Sequence, residues 1–283
     1  MTSVSNNKPF LKWVGGKTQL LHEITARLPQ SFSVYCEPFV GGGAVYFHLA
    51  NRIQLGYLSD VNQDLINTYT VIKNYPDHLI QELLNHTNTE DHFYAIRDAD
   101  RHPEFSNWSD IQKAARFIYL NKTCFNGLYR VNSKGQFNTP FGKYANPKIC
   151  DKDTITNCSA ILNSTNTTVG CHTYKEILPK IYAIPNPSEV FVYFDPPYLP
   201  LTETSNFVSY SKDGFSENDH VELAKTYHTL SEAGVKCMLS NSSTPLVYDL
   251  YSQYRIHTVA AKRNVSSTTT GRRSVLEVLV TNY

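Results

Sequence analysis

The sequence predicts an α/β protein: a nucleotide-type parallel sheet with helices on both faces and an inserted, mainly helical module. Three observations carry this. The first third alternates short apolar strands with amphipathic helices, in the order β–loop–α–β–α. The middle, from about Asp64 to Leu120, is helical with no strand interleaved, and then becomes loop-like. Strand character returns at Val190–Phe194, a continuous apolar run suited to a strand buried on both faces.

Taken in order, Leu20, Leu21, Ile24 and Leu28 fall at helical spacing and predict a helix over 18–28, with Pro29 beyond its end. Ser33–Glu37 reads as a strand running into Pro38-Phe39-Val40 and three glycines, Gly41–Gly43. A helix is expected over Ala44–Ala50 and a strand over Gln54–Ser59, ending at Asp60. The next helix starts near Asn62, with Leu65, Ile66, Tyr69 and Ile72 on one face. Ile111, Ala114, Ala115 and Ile118 mark a buried helical stripe further on. Asn121–Asn146 then mixes Asn, Gly, Pro and Ser with aromatic and basic residues, as a loop does. Further strands are expected at Val235–Ser240, Tyr254–Val259 and Val275–Val280, the last two joined by the polar loop Ala261–Ser274. The domain reading is therefore a discontinuous catalytic domain, 1–65 and 165–283, interrupted by an inserted domain, 66–164.

Composition excludes several classes. The chain has 283 residues, 41% hydrophobic and 18% charged, ordinary for a soluble globular protein. No apolar run reaches the ~18–20 residues of a membrane span, and the short polar start has no signal-peptide core, so a cytoplasmic location without membrane contact is expected. Six cysteines are scattered with no CxxC pair. That spacing argues against a zinc site or disulfide framework and for free, mostly buried thiols; no metal site is predicted. The net charge of +1 hides a segregated pattern. Residues 111–149 hold seven basic side chains (Lys113, Arg116, Lys122, Arg130, Lys134, Lys143 and Lys148) and no acid, whereas 60–110 hold ten acids and three bases. Such a segment is either a solvated face or the seat of a polyanion.

Four motifs carry chemistry. Asp195-Pro196-Pro197-Tyr198 directly follows the strand Val190–Phe194, where open α/β sheets bind ligands. The Asp195 carboxylate and the Pro196 carbonyl are two hydrogen-bond acceptors in a segment whose prolines restrict the backbone. That pair suits methylation of an aromatic amino group, whose nitrogen lone pair is delocalised and must be drawn toward pyramidal geometry. Tyr198 offers a π-face on which a base can stack. Glu37-Pro38-Phe39-Val40-Gly41-Gly42-Gly43 lets a ligand approach the backbone closely, and Asp60, at the end of the next strand, is placed to meet a ribose hydroxyl. Phe10–Lys17 contains Trp13 and Lys17, an aromatic and a cation that suit an adenosine ring and a carboxylate; it lacks the leading glycine of a phosphate loop, which has Leu11 in its place. In Asn121–Tyr144, Arg130 suits a bidentate contact to guanine, Asn126 and Asn132 suit base edges, and the lysines suit phosphates.

These four blocks, in this order, resemble the Dam family of DNA adenine-N6 methyltransferases, the alpha group. They are most similar to the GATC-methylating enzymes of DpnII-type restriction–modification systems. The family blocks are matched by Phe10–Lys17, Glu37–Gly43, Asp195–Tyr198, Asn126-Gly127-Leu128-Tyr129-Arg130 and Phe137–Tyr144. The resemblance implies a Rossmann-like methyltransferase sheet with an inserted DNA-recognition domain, and S-adenosyl-L-methionine as cofactor. It implies catalysis at Asp195, Pro196, Pro197 and Tyr198. Cofactor contacts would fall at Trp13, Lys17, Glu37, Phe39, Gly41, Gly43, Asp60 and Asp195, and DNA contacts at Lys12, Asn126, Leu128, Arg130, Pro140 and Tyr144. It further implies double-stranded DNA as partner, and a restriction endonuclease acting on the same site without stable binding. The target adenine would leave the base stack, as bases that undergo enzymatic chemistry do, with the loop Leu199–Phe215 closing over it. The rivals are an RNA or protein-glutamine methyltransferase, a DNA-binding regulator on the same fold, and a dinucleotide oxidoreductase; the last is disfavoured because GxGxxG is missing.

Overall fold

A computed structural model describes residues 7–200, 214–262 and 274–283. The chain divides into two compact units, one of residues 1–16, 41–51 and 60–171, the other of 17–40, 52–59 and 172–283. The expected Leu199–Phe215 and Ala261–Ser274 loops lie largely outside the described residues.

The second unit holds the sheet. Strands β1 (Val34–Glu37), β2 (Leu55–Asp60), β4 (Val190–Phe194), β5 (Lys236–Ser242), β6 (Arg255–Lys262) and β7 (Ser274–Thr281) lie in the order β2-β1-β4-β5-β7-β6. The first four are mutually parallel, and β7 runs antiparallel to both β5 and β6. All five residues of β4, Val-Phe-Val-Tyr-Phe, are buried, as its unbroken apolar run requires of a central parallel strand. Val34, Cys36, Val192, Phe194, Cys237 and Leu239 join one core. Helix α9 (Glu217–Glu232) covers it with Leu223, Tyr227 and Leu230, and begins at a Ser216/Asp219 capping box. Short helices α1 (Leu21–Thr25), α8 (Leu178–Tyr182) and α10 (Pro245–Leu250) also belong to this unit. The expected helix over 18–28 is thus only five residues long, preceded by a 3₁₀ turn at Lys17–Gln19. Because β2 and β4 flank β1 on opposite sides, the strand order reverses between β1 and β4, and ligands of open α/β sheets bind outside the carboxyl ends at such a point.

The first unit is mainly helical: α2 (Ala44–Leu49), α3 (Gln63–Asn74), α4 (Pro76–Leu84), α5 (Glu90–Asp98), α6 (Asp110–Thr123) and α7 (Lys152–Ser164). Asn62 caps α3 by accepting the Leu65 N–H, and a Ser109/Gln112 capping box starts α6. Helix α6 continues to Thr123, so Asn121–Thr123 are helical rather than the start of the loop. Strand β3 (Thr168–Cys171) was not foreseen. No helix among the described residues is long and apolar enough to cross a membrane. Four of the six cysteines, Cys36, Cys124, Cys158 and Cys237, are buried.

The glycine turn sets one stability test. Gly43 has φ +69° and precedes α2, and a Cβ there would overlap the Tyr69 hydroxyl. Gly43→Ala is expected to cost at least ~2 kcal/mol, from left-handed strain and overpacking together. Urea unfolding checks this, and an unchanged midpoint would remove Gly43 from the argument.

Candidate active site

In the sheet unit, β4 delivers Asp195 at its carboxyl end, and the two prolines that follow supply no N–H to extend the ladder. The Asp195 carboxylate has a partner on each oxygen. Lys17 Nζ lies 2.7 Å from Oδ2, and the Ser240 hydroxyl donates to Oδ1 at 2.8 Å. The Tyr193 hydroxyl is 2.9 Å from Ser240 Oγ and donates to it, since the Ser240 proton is committed to the carboxylate. Burial raises the Asp195 pKa above its ordinary value, while the Lys17 charge and the Lys17 and Ser240 hydrogen bonds pull it back.

Tyr198 is held from two sides. Lys17 Nζ sits 4.7 Å from its ring centroid, within cation–π range, and its hydroxyl donates to Glu277 Oε2 at 2.8 Å. Burial, then the Asp195 and Glu277 charges, push the phenol well above its ordinary pKa, so it stays a neutral donor. Just beyond, Asn241 Oδ1 accepts the Leu199 N–H at 3.1 Å, and the Ser242 hydroxyl donates to the Leu199 carbonyl. Three consecutive β5 residues, Ser240 to Ser242, therefore clamp the 195–199 segment. At the end of β1, Glu37 is 3% exposed and accepts the Tyr35 hydroxyl at 2.9 Å. The Phe39 ring stacks on Tyr174 at 5.7 Å and meets Phe215 edge-on at 5.8 Å.

The helical unit holds the remaining predicted cofactor residues. Asp60 accepts the Gly41 N–H on Oδ2 at 3.1 Å and the Asn62 N–H on Oδ1 at 3.0 Å, which leaves lone pairs for a further donor. Burial raises its pKa and these backbone bonds oppose the rise. Trp13 packs against Gly41 and Gly42, where a Cβ on Gly41 would come within 2.7 Å of the indole. The indole also stacks on Tyr129 at 5.7 Å, whose hydroxyl donates to Asp64 at 3.2 Å. The predicted cofactor residues thus divide: Trp13, Gly41, Gly43 and Asp60 in this unit, and Lys17, Glu37, Phe39 and Asp195 in the other.

The predicted DNA residues all lie in the helical unit. The Asn126 N–H donates to the Tyr144 hydroxyl at 2.9 Å, with Asn126 at φ +56°. The Pro140 carbonyl accepts the Phe125 N–H at 2.8 Å, and the Leu128 carbonyl accepts the Thr139 hydroxyl at 2.8 Å. Arg130 is exposed, with Nε donating to Asn138 Oδ1 at 2.7 Å and Nη2 to the Asn138 carbonyl at 3.3 Å. Asn121 ties Lys12 into this arrangement, accepting its N–H at 3.1 Å and donating to the Lys12 and Gly127 carbonyls. A cavity of about 520 Å³ is lined by Lys12, Lys122 and Tyr144 among others.

Two sequence expectations need correction. Arg116, counted among the seven bases, is buried and paired with Asp100 at 2.7 Å, so it does not contribute to a cationic surface. Asn132 shapes a turn: its Oδ1 accepts the Lys134 and Gln136 N–H groups, which removes it as a reader of base edges. Residues not singled out one by one are Ser240, Asn241, Glu277, Asn121 and Asn138. Asn121 and Asn138 lay within the Asn121–Tyr144 block, and Glu277 carried a signal as an acid inside the apolar run Val275–Val280.

A family model described as D12 class N6 adenine-specific DNA methyltransferase matches residues 13–265. The type II methyltransferase M1.LlaDCHI of Lactococcus lactis subsp. cremoris is 42% identical over 280 residues, covering 98% of this chain and 96% of that protein. M.MjaIII of Methanocaldococcus jannaschii, also named a type II methyltransferase, is 42% identical over 294 residues, covering 98% and 99%. The DNA adenine methylase of Escherichia coli K12 is 32% identical over 281 residues, covering 98% and 95%.

Proposed function

The chain belongs to the D12 class N6 adenine-specific DNA methyltransferase family, and from that premise we propose that it methylates adenine within GATC in duplex DNA after rotating the base out of the stack. The observation that carries the chemistry is the Asp195 carboxylate, half-buried at the carboxyl end of β4 with Lys17 on one oxygen and Ser240 on the other.

S-adenosyl-L-methionine, when bound, supplies a methyl group already activated on a sulfonium. Taken unit by unit, this chain's residues suit such a donor: in the helical unit Asp60 keeps acceptor capacity for ribose hydroxyls and Trp13 supplies an aromatic face, and in the sheet unit Phe39 supplies an aromatic face and Glu37 and Lys17 supply charges. Asp195 accepts one amino N–H and the Pro196 carbonyl accepts another, which draws the nitrogen lone pair out of conjugation with the purine. Pro197 stiffens the segment, and Tyr198 stacks on the extruded base. Extrusion costs a few kcal/mol of unstacking, which the stacking and hydrogen bonds offset.

In this reading residues 66–164 read the target, while 1–65 and 165–283 carry the donor and the chemistry. Lys12, Asn126, Leu128, Pro140 and Tyr144 grip the site, and Arg130 reads a guanine. A restriction endonuclease recognising the same sequence, without stably binding this chain, fits the type II names of two relatives. Arg130→Ala is expected to cost ~1–3 kcal/mol at one guanine and to relax specificity there. Methylation rates on substrates varied at each guanine check this, and an equal loss on every sequence would make Arg130 a phosphate contact. The deciding experiment is expression in a methylation-deficient bacterium followed by genome-wide mapping of N6-methyladenine. The expected mark is GATC; another motif would overturn the specificity, and no mark would overturn the activity.

A further inference from the structure

β7 is apolar except for Glu277 and its terminal Ser274 and Thr281. An acid in such a strand costs stability unless it is engaged. Glu277 sits opposite Ser242 of β5 and Val259 of β6, and its carboxylate accepts the Tyr198 hydroxyl at 2.8 Å across 79 residues of sequence. The Tyr198 ring is also contacted through its π-system by Lys17 Nζ, which is itself bonded to Asp195. Tyr198 is therefore fixed at the hydroxyl by one charge and at the ring by another. Without the hydroxyl anchor its χ2 torsion is broad. A base that must present its amino group to Asp195 needs the ring it stacks on held in one orientation.

We propose that Glu277 is a positioning residue for methyl transfer, anchoring the Tyr198 hydroxyl so that the ring orients the stacked adenine toward Asp195. This rests on the reading of Tyr198 as the stacking platform. In this role Glu277 acts through Tyr198 rather than on a reacting atom.

The test is a double-mutant cycle read by single-turnover methyl transfer, with target-site 2-aminopurine fluorescence reporting base extrusion. Glu277→Ala and Tyr198→Phe each remove the anchor and are expected to slow transfer by roughly tenfold, the scale of one hydrogen bond to a charged group. DNA affinity is expected to hold. The double variant is expected to be no slower than either single, because both changes break the same bond. Glu277→Gln keeps an acceptor oxygen and is expected to recover most of the rate. A wild-type rate in Glu277→Ala or Tyr198→Phe, or additive losses in the double variant, overturns the proposal. If Glu277→Ala does not fold, Tyr198→Phe and Glu277→Gln carry the test alone: the first must be slow and the second near wild type. Tyr198→Ala in parallel separates the two readings. If it retains full transfer, stacking on Tyr198 is wrong and the anchor falls with it; if it is slow while Glu277→Ala is not, only the role of Glu277 fails.

Discussion

Asp195→Ala is expected to abolish methyl transfer while leaving duplex binding largely intact. The carboxylate engages the amino group as the nitrogen changes geometry, so its loss falls on the transition state rather than on the ground-state complex. Positioned groups of this kind contribute ~10²–10⁴-fold, and the loss should appear in kcat with little change in the Kd for DNA. Wild-type turnover in this variant would defeat the assignment. The pH profile gives the same test without a mutation. Because burial raises the Asp195 pKa, the acid limb of the rate profile is expected above the ~3.9 of an ordinary aspartate. A limb at or below that value would detach the rate from this carboxylate.

Lys17→Met is expected to be the most damaging change that leaves Asp195 in place. Lys17 is 7% exposed and Asp195 18% exposed, with 2.7 Å between them. Breaking one side of a buried pair leaves a charge without its counter-ion, at a cost of ~3 kcal/mol, the low end of the usual range because Asp195 keeps some solvent. The sign with pH follows. Lys17 holds the Asp195 pKa down, so the variant's carboxyl titrates at higher pH. Its stability deficit is full while the carboxylate is charged, and shrinks as pH falls through that raised pKa. Urea unfolding at several pH values measures this. A deficit that does not vary with pH would mean that the ammonium's packing, not its charge, is what Asp195 needs. The rate profile's acid limb is expected to move upward in the same variant.

The parts of the fold legible in the sequence were those fixed by local pattern. Val190–Phe194 announced a strand buried on both faces, and the prolines after it announced its end. The glycine turn and Asp60 stood where β1 and β2 finish. β3 was not legible, because Thr-Val-Gly-Cys is four residues long and only partly buried, with no apolar run or alternation to mark it. The charge count misjudged Arg116, since an ion pair with Asp100 depends on how two helical segments meet, which no local window contains. The partners of Asp195 were hidden for a related reason. Ser240 lies 45 residues away, and only the parallel register of β4 on β5, Phe194 beside Leu239, brings it alongside the carboxylate.

The clamp on Leu199 has a mechanical consequence. Both peptide groups of that residue are tied to β5, so a pull on the chain at this point is borne by the sheet before it reaches the acceptor pair upstream.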